Sequence, residues 1–238
     1  MSETVIEERL RRRELLRHSP VYLVTEEAFS ARRTSEAIAE AALAGGVRVI
    51  QVREKACTAR RALEIARALR ESTNRYGALL LINDRIDIAL AVGADGVHVG
   101  QEDLPVSEAR RLLGPDALIG LSITDASQLA APDVALADYL GVGAVFATDT
   151  KDDATQTGLA LLHETRKTAP DLPIVAIGGI KADNAAEAIR AGADSLAVIT
   201  AITLASDPEQ AARLLAAAAA AVDGEAGAVA EAAEAARR

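Results

Sequence analysis

The sequence is poor in aromatic residues and in cysteine. Of its 238 residues only 2% are aromatic, tryptophan is absent, and Cys57 is the single cysteine. An internal disulfide is therefore excluded, and the core must be built from the aliphatic residues that dominate the 50% apolar fraction. A lone thiol fits a reducing compartment, so we expect a cytoplasmic protein.

A basic surface and a long apolar run are also missing. The formal net charge is −9, which argues against a nucleic-acid partner but not against a small anionic ligand, because a local field can oppose the global charge. No apolar stretch free of charge, glycine and proline is long enough to span a bilayer. Residues 1–20 lack the pattern of a signal peptide and predict a short helix.

Apolar runs alternate with helical segments eight times between residues 21 and 222. The first run, Val21–Thr25, is continuously apolar up to its last residue, as buried parallel strands are. The segment from Thr58 to Tyr76 shows the three-to-four-residue rhythm of a helix. Eight such units predict a single-domain (β/α)₈ barrel over residues 21–222. An open doubly wound sheet is the alternative, but the G-x-G-x-x-G fingerprint of its first turn is absent.

Two segments depart from this rhythm. Asp125 to Ala137 predicts a helix that Pro132 interrupts or kinks. Residues 223–238 consist mainly of Ala, Glu, Gly and Arg, and we expect a disordered tail or a frayed helix there.

Polar residues that a core does not need fall at the predicted strand ends. Gln51, Arg53 and Lys55 alternate along the second strand, so their side chains point to one face. Active sites of α/β barrels lie at the C-terminal strand ends, which favours an anion site over a solvated basic strand exit. The other strands end in Asn83 and Asp84, Gln101 to Asp103, Ser122, Thr148 to Lys151, Gly178 and Gly179, and Ile199 and Thr200.

Asp84 and Asp103 are carboxylates at adjacent strand ends. Two carboxylates that leave positions for water and phosphate oxygens suit Mg²⁺. The alternative is that both cap helices, and Asp103 shortly before Pro105 fits a cap. With the metal, Arg53, Lys55 and Lys151 would surround a diphosphate and stabilise departing pyrophosphate.

A second anion site is predicted where strands seven and eight end. Gly178, Gly179, Ile199 and Thr200 occupy the place where such barrels bind a phosphate through backbone N–H groups, although tight turns are the alternative for the glycines. His98 lies within a short strand, and we interpret it as barrel interior rather than as a catalyst.

Several stretches together resemble the thiamine phosphate synthase family, also called thiamine-phosphate pyrophosphorylases. They are Tyr22–Thr25, Gln51–Lys55, Ile82–Arg85, Ala94–Leu104, Gly120–Ser122, Thr148–Lys151 and Ala176–Ile180. The resemblance implies a transferase that condenses hydroxymethylpyrimidine diphosphate with thiazole phosphate, or its carboxylated tautomer. The products would be thiamine phosphate and pyrophosphate, formed by a dissociative Mg²⁺-assisted mechanism. The sequence departs from the family at Ala147 and Thr200, where Pro and Ser are usual.

The resemblance also implies roles for the strand-end residues. The pyrimidine diphosphate would be held by Gln51, Arg53, Lys55, Asn83, Ser122 and Lys151, of which Arg53, Lys55, Ser122 and Lys151 would act in catalysis. Mg²⁺ would be held by Asp84 and Asp103. The thiazole phosphate would be held by Thr148, Thr150, Gly178, Gly179, Ile199 and Thr200.

Two other functions remain open at this point. A thiazole tautomerase is a related isomerase that relies on a histidine shortly after the Gly-x-Ser strand end, where this sequence reads Ser122-Ile123-Thr124. A non-catalytic regulator would bind the same phosphates without turnover. A homo-oligomer is compatible with the sequence, which shows no decisive interface patch.

Overall fold

Eight parallel strands close into a barrel. The computed structural model describes residues 3–148 and 158–235, with side chains from 6 to 148 and from 158 to 222. Neighbours in the sequence pair in parallel, and β1 pairs with both β2 and β8, so the predicted (β/α)₈ barrel is confirmed. The strands are β1 Val21–Thr25, β2 Val49–Val52, β3 Leu79–Asn83, β4 Gly96–Val99, β5 Leu118–Ile123, β6 Tyr139–Val142, β7 Ile174–Ile177 and β8 Ser195–Val198.

The helices of the described residues begin and end at recognisable signals. They are α1 Glu3–Arg17, α2 Ser35–Ala44, α3 Ala59–Tyr76, α4 Ile86–Val92, α5 Val106–Leu113, α6 Gly158–Thr168, α7 Ala185–Arg190, α8 Thr200–Thr203 and α9 Pro208–Ala235. Thr34 and Thr58 cap α2 and α3 by accepting backbone N–H groups of their first turns. Gly77 ends α3 in the left-handed region, with φ 61°. Within the described ranges, no helix combines the length and the apolar character needed to cross a membrane.

Inward-facing and outward-facing side chains form two separate apolar layers. The inner layer fills the barrel below its mouth and comprises Leu16, Tyr22, Val24, Val49, Leu79, Leu81, Leu118, Tyr139, Val175 and Ala197. The outer layer packs the strands against the surrounding helices. In the part of the chain that the structure describes, the barrel interior is thus a filled core rather than a pore, so a ligand of the barrel would bind at one of its ends.

Three aspartates brace the N-terminal end of the barrel. Asp95, Asp138 and Asp194 directly precede β4, β6 and β8. Each carboxylate accepts the backbone N–H of a residue in the preceding strand, at 2.7 to 2.8 Å. Each also bonds an arginine of a surrounding helix: Arg70, Arg110 and Arg166 respectively. The sequence carries this recurrence as an Ala-Asp pair before every second strand from β4 onward.

Helix α1 completes this end of the barrel. Its residues Arg12, Arg9 and Arg17 approach the carboxylates of Asp95, Asp138 and Asp194 to 3.4, 3.7 and 3.7 Å. On the same helix, Leu16 is 0% exposed and belongs to the inner apolar layer. The predicted N-terminal helix therefore closes the barrel at the end opposite the predicted site.

The segment after β5 is interrupted at Pro132, as predicted, but it is not α-helical. The structure has two 3₁₀ helices, Ala126–Ala130 and Pro132–Ala135. Asp125 and Gln128 form a capping box on the first of them. Pro132 opens the second, because its ring and missing N–H prevent a helix from continuing through it.

The end of the chain is helical as far as the structure describes it. Of the two alternatives given for residues 223–238, a disordered tail or a frayed helix, the structure has a helix, because α9 continues to Ala235. Alanine and glutamate have among the highest helix propensities, and their sum over this helix outweighs the cost of Gly224 and Gly227.

Substitution of Leu16 tests the closure of the barrel by α1. Leu16→Ala leaves a cavity in the inner layer, so it is expected to lower the free energy of unfolding by about 2–5 kcal/mol. Leu10→Ala, on the same helix but 48% exposed, is the matched control and should stay within about 0.5 kcal/mol of wild type. Urea denaturation followed by circular dichroism measures both; equal effects of the two variants would contradict the described packing.

Candidate active site

Alternation along β2 divides its side chains between the barrel and the helices. Gln51 is buried on the inward-facing side, and Arg53 follows it two residues later. Glu54 points the other way and accepts hydrogen bonds from Thr25 Oγ1 at 2.8 Å and from Ser35 Oγ at 2.5 Å. The acidic residue between the two cations thus binds the scaffold, which leaves Arg53 and Lys55 at the mouth.

Glu26 fixes the position of Arg53. This carboxylate directly follows β1, is 5% exposed, and lies 3.0 Å from Arg53 Nη1. It also accepts the backbone N–H of Lys55 at 3.4 Å. Burial raises the pKa of Glu26. Sequence reasoning missed this residue, although an acid directly after a buried strand was a signal for it.

Asp84 lies at the next strand end, close to Lys55. Its Oδ2 accepts Asn83 Nδ2 at 2.6 Å and lies 3.7 Å from Lys55 Nζ. The backbone of Asp84 is in the left-handed region, with φ 58°. A non-glycine residue in that conformation is uncommon and often marks a functional position.

Asp84 and Asp103 crowd each other. Burial, and then the hydrogen bond with Asp103 and the charge of Asp103, raise the pKa of Asp84 to about 6, while Lys55 and Arg53 oppose the shift. Neither carboxylate caps a helix. Asp103 Oδ2 accepts the N–H of Gly100 at 2.8 Å, and the first N–H of α5 bonds Asp133 instead.

This carboxylate pair fits a magnesium ion. The described residues contain no group of three or more His, Cys, Asp and Glu side chains that would hold a metal on its own. Mg²⁺ commonly takes one or two carboxylates and completes its shell with water and phosphate oxygens. Two mutually repelling carboxylates beside two cations suit an ion that arrives with an anionic ligand.

Gln51 and Ser122 are connected by hydrogen bonds through the interior. Gln51 Nε2 donates to the hydroxyl of Tyr22 at 2.7 Å, and the Tyr22 hydroxyl lies 3.0 Å from that of Tyr139. His98 Nδ1 is 3.0 Å from the Tyr139 hydroxyl, and His98 Nε2 is 2.9 Å from Ser122 Oγ. The structure thus places His98 in the interior, as interpreted from sequence, but also in contact with a predicted site residue.

The ends of β7 and β8 form the opposite side of the mouth. The register that pairs Ile177 with Ala197 sets Gly179 beside Ile199, and Thr200 begins α8. Gly178 and Gly179 have φ 99° and 65°. A Cβ on Gly179 would lie 2.3 Å from the carbonyl oxygen of Ala147, so a backbone without side chains is required here.

The segment after β6 runs along this edge. The strand ends at Val142, but the N–H groups of Val145 and Phe146 still donate to the carbonyls of Ile177 and Gly178. Thr148 ends the described part of this segment. The predicted site residues Thr150 and Lys151 lie outside the described residues.

Most predicted site residues therefore share one end of the barrel. Arg53, Lys55, Asn83, Asp84 and Asp103 are on the β2–β4 side, and Gly178, Gly179, Ile199 and Thr200 are on the β7–β8 side. A barrel with cations, a carboxylate pair and a glycine turn at one mouth is an enzyme scaffold suited to phosphorylated substrates.

Comparison with known proteins identifies the family. The family described as thiamine monophosphate synthase matches residues 21–202, and the chain belongs to it. It is 47% identical to the thiamine-phosphate synthase of Natronomonas pharaonis over 199 residues, which cover 82% of this chain and 92% of that protein. It is 50% identical to the thiamine-phosphate synthase of Haloquadratum walsbyi over 198 residues, with coverage of 82% and 88%.

A solved structure agrees with this assignment. The thiamine phosphate pyrophosphorylase from Pyrococcus furiosus superposes with a TM-score of 0.79 at 37% identity, over 88% of this chain and 98% of that one. The chain is therefore an enzyme of thiamine phosphate synthesis.

Substitution of Asp84 tests the carboxylate pair. Asp84→Asn removes the repulsion from Asp103 and keeps a residue type that tolerates positive φ, so the metal-free variant should be more stable than wild type by about 1–2 kcal/mol at pH 8. The sign follows from the raised pKa. The folded state holds this proton more tightly than the unfolded chain, so the free energy of unfolding falls as the pH rises from the ordinary value of 3.8 through about 6.

Thermal denaturation with and without Mg²⁺ measures this difference. Addition of Mg²⁺ should stabilise wild type and leave the Asp84→Asn variant almost unchanged. Asp87→Asn, at an exposed carboxylate on α4 that pairs with Arg85, is the control and should respond to Mg²⁺ as wild type does. If Mg²⁺ stabilised the Asp84→Asn variant as much as wild type, Asp84 would not be a ligand of the metal.

Proposed function

We propose that the chain condenses hydroxymethylpyrimidine diphosphate with thiazole phosphate, with release of pyrophosphate. The observation that carries the proposal is the arrangement at the ends of β2, β3 and β4. There, Arg53 and Lys55 lie beside Asp84, whose pKa is raised by burial and by the neighbouring carboxylate of Asp103. Such a mouth favours a cation bound together with a polyanion, because the cation offsets the repulsion between the carboxylates and the basic side chains attract the polyanion.

The β2–β4 side would hold the diphosphate. Asp84 and Asp103 would hold Mg²⁺, which when bound supplies charge neutralisation for the diphosphate oxygens. Arg53, fixed by Glu26, presents a guanidinium whose position does not need to reorganise during the reaction. Lys55, 56% exposed and 3.7 Å from Asp84, adds a mobile charge, and Lys151 is proposed as the third cation.

Bond cleavage comes first in the proposed reaction. The C–O bond between the pyrimidine methylene carbon and the diphosphate breaks, and its electron pair leaves with pyrophosphate. Arg53, Lys55 and Lys151 stabilise the negative charge that develops on the leaving oxygen. Gln51 and Ser122 hold the pyrimidine ring in the interior of the mouth.

Bond formation then joins the two rings. The lone pair of the thiazole nitrogen forms a C–N bond to the cationic methylene carbon, and the nitrogen becomes quaternary. No proton has to be removed in this step, so the mouth needs no general base; the carboxylated tautomer would in addition lose carbon dioxide. Gly178, Gly179, Ile199 and Thr200, with Thr148 and Thr150, would hold the thiazole phosphate.

Two further points of the proposal concern the setting of the reaction. The free thiol of Cys57 fits a cytoplasmic location. Homo-oligomer formation stays a prediction, and no step of the reaction depends on it.

A defined mixture of the two phosphorylated precursors and Mg²⁺ tests the proposal. Thiamine phosphate and pyrophosphate should form in equal amounts. A tautomerase would convert only the carboxylated thiazole, and a regulator would bind both precursors without turnover. Absence of thiamine phosphate at micromolar enzyme would contradict the proposal.

Substitution of Arg53 tests its electrostatic role. Arg53→Ala should lower kcat by about 10²–10³-fold, the loss expected for one preorganised donor. Arg60→Ala, which removes an exposed arginine on α3 outside the mouth, is the matched control and should keep its kcat within about twofold of wild type. An Arg53→Ala variant as active as that control would refute the assignment.

A further inference from the structure

The hydrogen-bond chain from Gln51 to Ser122 has one direction. The Tyr22 and Tyr139 side chains are each 1% exposed, and burial raises the pKa of both phenols, so both keep their protons. The amide nitrogen of Gln51 can only donate, and it donates to the Tyr22 oxygen. Among the described residues, the oxygen of Tyr139 is then the acceptor left for the Tyr22 proton.

This direction determines the tautomer of His98. Because Tyr139 accepts from Tyr22, its own proton goes to His98 Nδ1, at 3.0 Å. A nitrogen that accepts this proton carries none of its own, so the ring is neutral and holds a single proton. With Nδ1 as acceptor, that proton is on Nε2 and is donated to Ser122 Oγ at 2.9 Å.

The barrel is built to hold the imidazole in this place. A Cβ on Gly120 in β5 would lie 2.5 Å from His98 Nδ1 and 2.1 Å from the ring of Tyr139. A Cβ on Gly141 in β6 would lie 2.7 Å from His98 Cε1. Neither glycine has a positive φ, so space for the two rings is the reason for glycine at both positions.

We infer that His98 is a positioning residue that makes Ser122 a hydrogen-bond donor toward the ligand. Since Ser122 Oγ accepts from His98, its own proton is free to point into the mouth. The complementary ligand atom is an acceptor, and an aromatic ring nitrogen with a free lone pair has this chemistry. At the other end of the hydrogen-bond chain, Gln51 Oε1 remains an acceptor. Ser122 thus offers the ligand a hydrogen-bond donor, and Gln51 offers it an acceptor.

The inference deepens the proposed function and rests on it for the identity of the ligand. In a pyrimidine with an amino group, a ring nitrogen accepts and the amine donates, which matches Ser122 and Gln51 respectively. The chain of buried phenols thereby acts on binding and orientation of the pyrimidine without touching the reacting bond.

Nitrogen-15 NMR of the substrate-free protein, labelled in histidine, tests the tautomer directly. The three histidines provide an internal comparison, because His18 and His163 direct Nδ1 at backbone carbonyls of their own helices, each at 2.9 Å. In the neutral form of the ring, these two should favour the Nδ1–H form. His98 should show the Nε2–H form alone; an Nδ1–H form or an even mixture would overturn the inference.

Two phenol deletions provide matched variants. Tyr139→Phe removes the donor to His98 Nδ1 and should relax the tautomer to a mixture. Tyr22→Phe also removes one buried hydroxyl, but it leaves Tyr139 with His98 as its acceptor, so the Nε2–H form should persist. Equal tautomer populations in both variants would overturn the proposed direction of the chain.

A double-mutant cycle tests the effect on Ser122. Tyr139→Phe should lower kcat/KM for the pyrimidine diphosphate about tenfold, equivalent to about 1.4 kcal/mol, and leave KM for the thiazole phosphate unchanged. In the Ser122→Ala background the same substitution should have almost no further effect. Independent, multiplicative losses would overturn the role of His98 in orienting Ser122. The NMR result does not depend on turnover, so failure of the proposed reaction is distinguishable from failure of the inference.

Discussion

Alternation of side chains along β2 is the constraint on which the rest of the site depends. Gln51 and Arg53 share the inward-facing side of the strand, whereas Glu54 bonds Thr25 and Ser35 on the other side. A shift of one residue in the register would turn Glu54 into the mouth and remove Arg53 from Glu26. The same alternation places the buried amide of Gln51 deeper in the barrel than the guanidinium of Arg53, which under the proposed function would hold the pyrimidine ring and its diphosphate at two depths.

The opposite end of the barrel provides the rigidity that this arrangement needs. The carboxylates of Asp95, Asp138 and Asp194 bond backbone N–H groups of β3, β5 and β7 and arginines of the surrounding helices. Leu16 of α1 fills the interior. Stability and chemistry are thus separated along the barrel axis, as in other α/β barrels. At the mouth, by contrast, crowded carboxylates and a residue with positive φ are retained, which is typical of sites where local stability is exchanged for ligand binding.

The sequence predicted the barrel and the position of its mouth because period-two and period-3.6 patterns report strands and helices directly. It did not reveal Glu26, whose partner Arg53 is distant in sequence and is brought near only by pairing of β1 with β2. Nor did it reveal the contacts of His98, which require the ring to reach Ser122 and Tyr139 from different strands. The interruption at Pro132 was readable from the sequence, because proline cannot continue a helix, but the 3₁₀ form of the two short helices was not. For residues 223–238 the composition left a frayed helix and a disordered tail both open, because alanine favours a helix but little after Gly224 could pack against a core.

Binding of inorganic pyrophosphate, measured by isothermal titration calorimetry with and without Mg²⁺, tests the central claim that the mouth is a metal-assisted diphosphate site. Asp84 and Asp103 repel an anion until a cation separates them from it. Pyrophosphate should therefore bind at least about tenfold more tightly with Mg²⁺, a difference of about 1.4 kcal/mol, and Arg53→Ala should weaken the Mg²⁺-dependent binding. Equal affinity in Mg²⁺ and in a chelator would contradict the account.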